Sequence, residues 1–150
     1  MSVNNNQDTS QDPDTGAVET THAAQSTQAP SAVVAGLIVD ELLRLGMVDA
    51  VVCPGSRSAP LARALVQAAD AAKVRLHVRI DERSAAFLAL GLASRTRKVT
   101  PVITTSGTAV ANLVPAMVEA TASGIPLLAL TADRPAPVSY THLTLPTTPY

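Results

Sequence analysis

The chain is poor in several residue types, and each shortage narrows what it can be. It has 150 residues, with no tryptophan, one phenylalanine and two tyrosines. Its core is therefore aliphatic, built from alanine, valine and leucine. One cysteine, Cys53, excludes an internal disulfide and fits a reducing compartment. Charged residues are 15 % of the chain and the net charge is -1. Without a basic patch, nucleic-acid binding has no support. No apolar run approaches the roughly 20 residues that a membrane span requires. The opening residues, Met1-Ser2-Val3-Asn4-Asn5-Asn6, lack the basic and apolar regions of a signal peptide, so a cytoplasmic location is expected.

Against these absences, 47 % of the residues are hydrophobic, enough for one packed domain. Residues 1–30 read as a disordered polar tail. They carry Asp8, Asp12, Asp14 and Glu19 but neither Lys nor Arg, and they show no apolar periodicity. Ordered structure is expected over 31–136. Beyond Arg134 no charged residue follows, and both tyrosines fall in that stretch. The run Val138-Ser139-Tyr140-Thr141-His142-Leu143-Thr144-Leu145-Pro146-Thr147-Thr148 matches a translated sequencing adapter, so 137–150 reads as a non-native tail. His22 and His142 fall in these end segments and receive no functional role.

Within the ordered part, four short apolar runs alternate with helical stretches. The runs are Val48–Cys53, Val74–Ile80, Val99–Thr104 and Ile125–Leu130. The helices are expected from Ser31 to about Leu45, with Gly46 as a stop, then over Ser58–Asp70, Arg83–Arg95 and Gly107–Ser123. This alternation predicts an α/β fold, a parallel sheet with crossover helices. Ligands in such sheets bind beyond the carboxyl ends of the strands. Each run ends in a polar motif: Pro54-Gly55-Ser56-Arg57-Ser58, Asp81-Glu82-Arg83, Thr105-Ser106-Gly107-Thr108 and Thr131-Ala132-Asp133-Arg134-Pro135. The fold would thus set Arg57, Glu82, Thr108 and Arg134 along one edge.

The chemistry of these motifs has more than one reading. Backbone N–H groups at a helix start, a serine hydroxyl and a guanidinium suit a carboxylate or phosphate. The same five residues also suit a tight turn, with Ser58 as N-cap and Arg57 in solvent. Asp81 fits a helix N-cap and Glu82 a first-turn acid, both ordinary. In an apolar crevice, though, Glu82 would have a raised pKa and could share a proton with a ligand nitrogen. Gly107, Ala109 and Ala111 let a flat group approach the backbone, although neither a Walker loop nor a three-glycine dinucleotide pattern is present. Cys53 closes an apolar strand with no histidine near it in sequence, so it reads as a buried structural thiol. His77 reads as a sheet-face residue, and Met47 and Met117 as core filler.

Four segments together resemble a known family: Cys53-Pro54-Gly55-Ser56-Arg57-Ser58-Ala59-Pro60-Leu61, Ile80-Asp81-Glu82-Arg83-Ser84-Ala85-Ala86, Thr104–Leu113 and Thr131-Ala132-Asp133-Arg134-Pro135. They resemble the MenD family, the 2-succinyl-5-enolpyruvyl-6-hydroxy-3-cyclohexene-1-carboxylate synthases, thiamine-diphosphate enzymes of menaquinone synthesis. The flavour is closest to actinobacterial members. The resemblance covers about Val33 to Pro135 and implies the pyrimidine-binding domain of the thiamine-diphosphate enzyme fold.

It further implies that Glu82 is the catalytic carboxyl, hydrogen-bonded to a pyrimidine nitrogen of the cofactor. Ser56, Arg57 and Arg134 match positions that hold substrate carboxylates, and Gly107, Thr108 and Asn112 match the loop near the pyrimidine. The implied substrates are 2-oxoglutarate, which is decarboxylated, and isochorismate, which receives the succinyl unit. The implied cofactors are thiamine diphosphate and Mg²⁺, with the metal ligands in a C-terminal domain outside this sequence. Family sites form between subunits, so a homo-oligomer is expected at full length and the fragment alone is expected to be inactive. Two other readings stand beside this one. One is an acetolactate-synthase relative, although that group usually has Gly-Pro-Gly where this chain has Gly107-Thr108-Ala109. The other is a flavodoxin-like binding module without catalysis.

Overall fold

A computed structural model describes residues 29–134. The segment expected to be adapter-derived, 137–150, and nearly all of the tail expected over 1–30 lie outside the described residues. The elements run α1 (Pro30–Arg44), β1 (Asp49–Val52), α2 (Ala59–Asp70), β2 (Arg75–Val78), α3 (Glu82–Thr96), β3 (Thr100–Thr104), α4 (Thr108–Ala111), α5 (Val114–Ser123) and β4 (Leu127–Thr131). The sheet has the order β2-β1-β3-β4 and every pair is parallel. The expected α/β architecture is what the chain adopts.

Topology follows from chain direction. The step from β1 to β2 runs one way along the sheet, and the steps from β2 to β3 and β3 to β4 run the other way. Right-handed crossovers therefore put α2 on one face and α3 and α5 on the opposite face. The two core clusters match this division. Val39, Leu42, Leu65, Ala68, Ala50, Val52 and Ile103 pack on the α1/α2 side. Val51, Cys53, Val102, Leu113 and Ala116 pack with α3 and α5 on the other. The buried face of α3 is almost all alanine: Ala85, Ala86, Ala89 and Ala93 each have zero exposure. Such small side chains let the helix lie close on β1 and β3.

Helix ends use recognisable devices. Asp81 caps α3, its Oδ1 accepting the Ser84 N–H at 2.7 Å. The loop after α1 turns at Gly46 with φ +86°, where glycine costs little. Proline stands in the first turn of α1, α2 and α5, where a missing N–H loses nothing.

Three local expectations are revised. The single helix over Gly107–Ser123 is two helices, broken at Asn112–Leu113. Pro115 explains the break, since it has no N–H to offer the Ala111 carbonyl four residues back. Ser58 occupies the N-cap position of α2, but its hydroxyl makes no cap bond. It turns inward and donates to Gly55 O at 3.1 Å, with Cys53 O at 3.4 Å. Finally, the run Val74–Ile80 is a strand only over Arg75–Val78, and Ile80 is exposed.

Candidate functional site

The chain crosses from one half of the sheet to the other between β1 and β3. At that switch point the loops following the two strands lead to helices on opposite faces, the place where open α/β sheets bind ligands. The β1–α2 turn contains Ser56 and Arg57, both exposed. The β3–α4 loop contains Thr105, Ser106 and Gly107. Glu82 opens α3, directly after β2, and is partly buried. Arg134 follows β4. All the residues singled out in the sequence thus stand at the carboxyl-end edge of one sheet.

Two of the flanking loops touch. A Cβ placed on Gly55 would stand 2.6 Å from Thr105 Cβ, closer than side chains approach. Glycine is required there because the Thr105 side chain fills the space. On the other side of the same loop, Arg134 Nε donates to Ser106 Oγ at 3.3 Å. The Arg134 Nη2 atom lies 3.8 Å from where a Gly107 Cβ would be. Gly107 has φ +80°, so a side chain there would be strained. Asp133 Oδ1 accepts the Arg134 N–H at 2.7 Å, and Ala132 N–H bonds to Thr104 O at 3.0 Å, which ties the segment after β4 to the end of β3.

The Cys53 thiol, at the end of β1, is pushed up to about 11, first by burial and then by the negative charges of Glu82 and Asp81. Cys53 itself is buried, with 1 % exposure, as expected of a structural thiol. The Ser84 hydroxyl and backbone N–H hold the Asp81 carboxyl below its usual value. Asn112 lies at the C-terminal end of α4, where its Nδ2 donates to Thr108 O at 3.2 Å. Thr108 and Asn112 are therefore joined to each other, and both are exposed. The Thr104 hydroxyl, at the end of β3, is fully buried with no hydrogen-bond partner.

One charged cluster lies at the opposite end of the sheet. Asp49, 1 % exposed, accepts from Arg75 Nε at 2.8 Å and from Arg75 Nη2 at 2.7 Å. His77 Nε2 lies 3.0 Å from Asp49 Oδ1. His77 is thus a sheet-face residue, as expected, but one held by a buried acid. The Arg75 guanidinium keeps the Asp49 carboxyl below its ordinary value despite the opposing effect of burial. The alternation Arg75-Leu76-His77 put both bases on one face, but the sequence offered no signal that Asp49 would face them.

Among the described residues no group of three His, Cys, Asp or Glu is placed to hold a metal ion. No helix there is long and apolar enough to cross a membrane.

The family model for the thiamine pyrophosphate enzyme, N-terminal TPP binding domain, matches residues 32–146. The chain is 64 % identical over 102 residues to the 2-succinyl-5-enolpyruvyl-6-hydroxy-3-cyclohexene-1-carboxylate synthase of Corynebacterium jeikeium, covering 67 % of this chain and 17 % of that relative. It is 59 % identical over 106 residues to the synthase of the same name from Saccharopolyspora erythraea, covering 71 % and 19 %. To that of Nocardia farcinica it is 60 % identical over 107 residues, again covering 71 % and 19 %. The chain therefore spans about a fifth of the length of the curated relatives it matches. By sequence match, sheet topology and the placement of its strand-end loops, the chain belongs to the thiamine pyrophosphate enzyme family, of which it carries the N-terminal TPP-binding domain.

Proposed function

We propose that this chain is the pyrimidine-binding part of a 2-succinyl-5-enolpyruvyl-6-hydroxy-3-cyclohexene-1-carboxylate synthase, which decarboxylates 2-oxoglutarate and transfers the succinyl unit to isochorismate. The relatives bearing that name, at 64 % and 59 % identity, support the assignment. The observation that carries the site reading is the shared edge. Glu82 opens α3 after β2, Arg57 stands in the turn after β1 whose Gly55 packs on Thr105, and Arg134 follows β4 and bonds Ser106.

The residues fit the cofactor this family uses. Gly107, exposed and without a side chain, leaves backbone for a flat ring to approach. Thiamine diphosphate supplies, when bound, the acidic carbon to which a 2-oxo acid adds before losing CO₂. Glu82 contributes a carboxyl in the first turn of α3, half-shielded from solvent. With the cofactor bound, Glu82 would hydrogen-bond a nitrogen of its ring. Gly107, Thr108 and Asn112 line the approach of the pyrimidine. Ser56, Arg57 and Arg134 hold carboxylates. The two substrates bring anionic groups in plane-shaped form, for which paired guanidiniums are better suited than ammonium groups.

Mg²⁺ and the diphosphate are assigned to the remainder of the full-length protein. The isolated 150-residue chain supplies half of a site and is expected to be inactive alone. A homo-oligomer at full length is supported by surface left apolar here. Val114 and Val118, one turn apart on α5, are exposed by 56 % and 64 %. A cytoplasmic location fits the single, buried cysteine.

The test is turnover by the gene product extended to the length of its relatives. With thiamine diphosphate and Mg²⁺ present, CO₂ is expected from 2-oxoglutarate in the presence of isochorismate. Turnover of pyruvate in place of 2-oxoglutarate would overturn the substrate assignment.

A further inference from the structure

The loop after β3 touches two anion-binding elements at once, and neither contact is explained by the loop's own fold. Its first residue, Thr105, occupies the space where Gly55 would carry a side chain. Gly55 immediately precedes Ser56 and Arg57. The seat of that turn is therefore the Thr105 side chain: its Cβ, Cγ2 and Oγ1 all lie within 3.1 Å of the ideal Gly55 Cβ position. The next residue, Ser106, accepts a hydrogen bond from Arg134 Nε at 3.3 Å. A guanidinium is planar, so a bond at Nε fixes the orientation of the whole fork. Gly107 then gives the guanidinium room to lie across the loop.

We infer that Thr105 and Ser106 are positioning residues: Thr105 seats the turn bearing Ser56 and Arg57, Ser106 orients Arg134, and this one loop sets how the two guanidiniums stand toward a shared anionic substrate. The loop is well placed for the task, since β3 is central and its five residues are all buried. Both arginines are exposed and lie on segments outside helices and strands, which fix a side chain poorly on their own. Geometry within about 0.5 Å matters for bidentate carboxylate binding, so a rigid strand end that packs against the turn carrying Arg57 and bonds Arg134 itself is a physical means of preorganisation.

This inference rests on the anion-binding role proposed above. Its test is calorimetric titration of 2-oxoglutarate, and separately of isochorismate, into the protein extended to the length of its relatives and loaded with thiamine diphosphate and Mg²⁺. Ser106→Ala is expected to weaken binding of one of the two by about fivefold, the worth of one modest hydrogen bond. Ser106→Thr, which keeps the hydroxyl, restores affinity. In an Arg134→Gln background Ser106→Ala has no further effect, because the group it orients is gone. Thr105→Gly weakens affinity in the parent, and that effect vanishes in Arg57→Gln.

A merely structural loop would lose affinity alike in the parent and in each arginine variant, and that pattern overturns the inference. So does parent binding that Ser106→Ala and Thr105→Gly leave unchanged, a result that spares the proposed substrates. Failure of the parent to bind either compound overturns both the anion-site reading and this inference.

Discussion

Gly55 and Thr105 share one volume: the side chain that glycine lacks would sit 2.6 Å from Thr105 Cβ. Two loops that follow neighbouring strands are thereby keyed into each other at the switch point of the sheet. The relationship also makes a stability prediction. Gly55→Ala should destabilise the protein by about 1–3 kcal/mol, the usual cost of overpacking. Adding Thr105→Gly to that variant should recover most of the loss. Urea unfolding of the single and double variants checks this, with recovery as the diagnostic result.

Asp49 makes a second prediction, on pH. Its carboxyl is held below its ordinary value by Arg75, so the folded state binds a proton there less readily than the unfolded chain. The resulting stability is fully present above the unfolded carboxylate pKa of about 3.9 and is lost as pH falls through the lower folded value. Asp49→Asn should flatten that acid limb of the stability curve. At neutral pH it should cost about 1–3 kcal/mol, because it weakens the bidentate bonding of a buried carboxylate. Denaturant midpoints between pH 3 and 7, with and without the substitution, measure both effects.

Cys53 makes a third. With its thiol pushed up to about 11 and its side chain buried, almost none is thiolate near pH 8. Iodoacetamide should leave the native protein unlabelled and modify it fully in denaturant, as read by mass spectrometry. Rapid labelling of the native form would contradict the buried placement.

Much of the fold was legible in the sequence because its signals are local. Short valine- and leucine-rich runs bounded by Pro, Gly and Ser gave the strands, and Asp81 ahead of Glu82 marked the start of α3. What escaped is non-local. The buried Asp49 meets Arg75 and His77 only because β1 and β2 pair in the register Asp49↔Arg75 and Val51↔His77, across a separation no pattern reports. The contact of Gly55 with Thr105 depends likewise on β3 lying beside β1.

The strand-end edge of the site was foreseeable, since alternating strands and helices force the loops to one side. Its internal wiring was not, because Ser106 carries no motif that names Arg134 as its partner. The break between α4 and α5 had a visible cause in Pro115, outweighed in the sequence reading by the helical spacing of Val110, Leu113, Val114, Met117 and Val118. Ser58 reads as a cap by residue type, yet it is buried and spends its hydroxyl on the turn behind it.

The central claim is the proposal that Glu82, in the first turn of α3, is the carboxyl that activates the cofactor. The most direct test is the exchange of the thiamine diphosphate C2 proton for deuterium, followed by NMR in the full-length protein and in Glu82→Gln. The account predicts exchange slowed by about 10²–10⁴-fold in the variant, the usual contribution of a positioned proton-transfer group. Exchange at the parent rate in Glu82→Gln would contradict it.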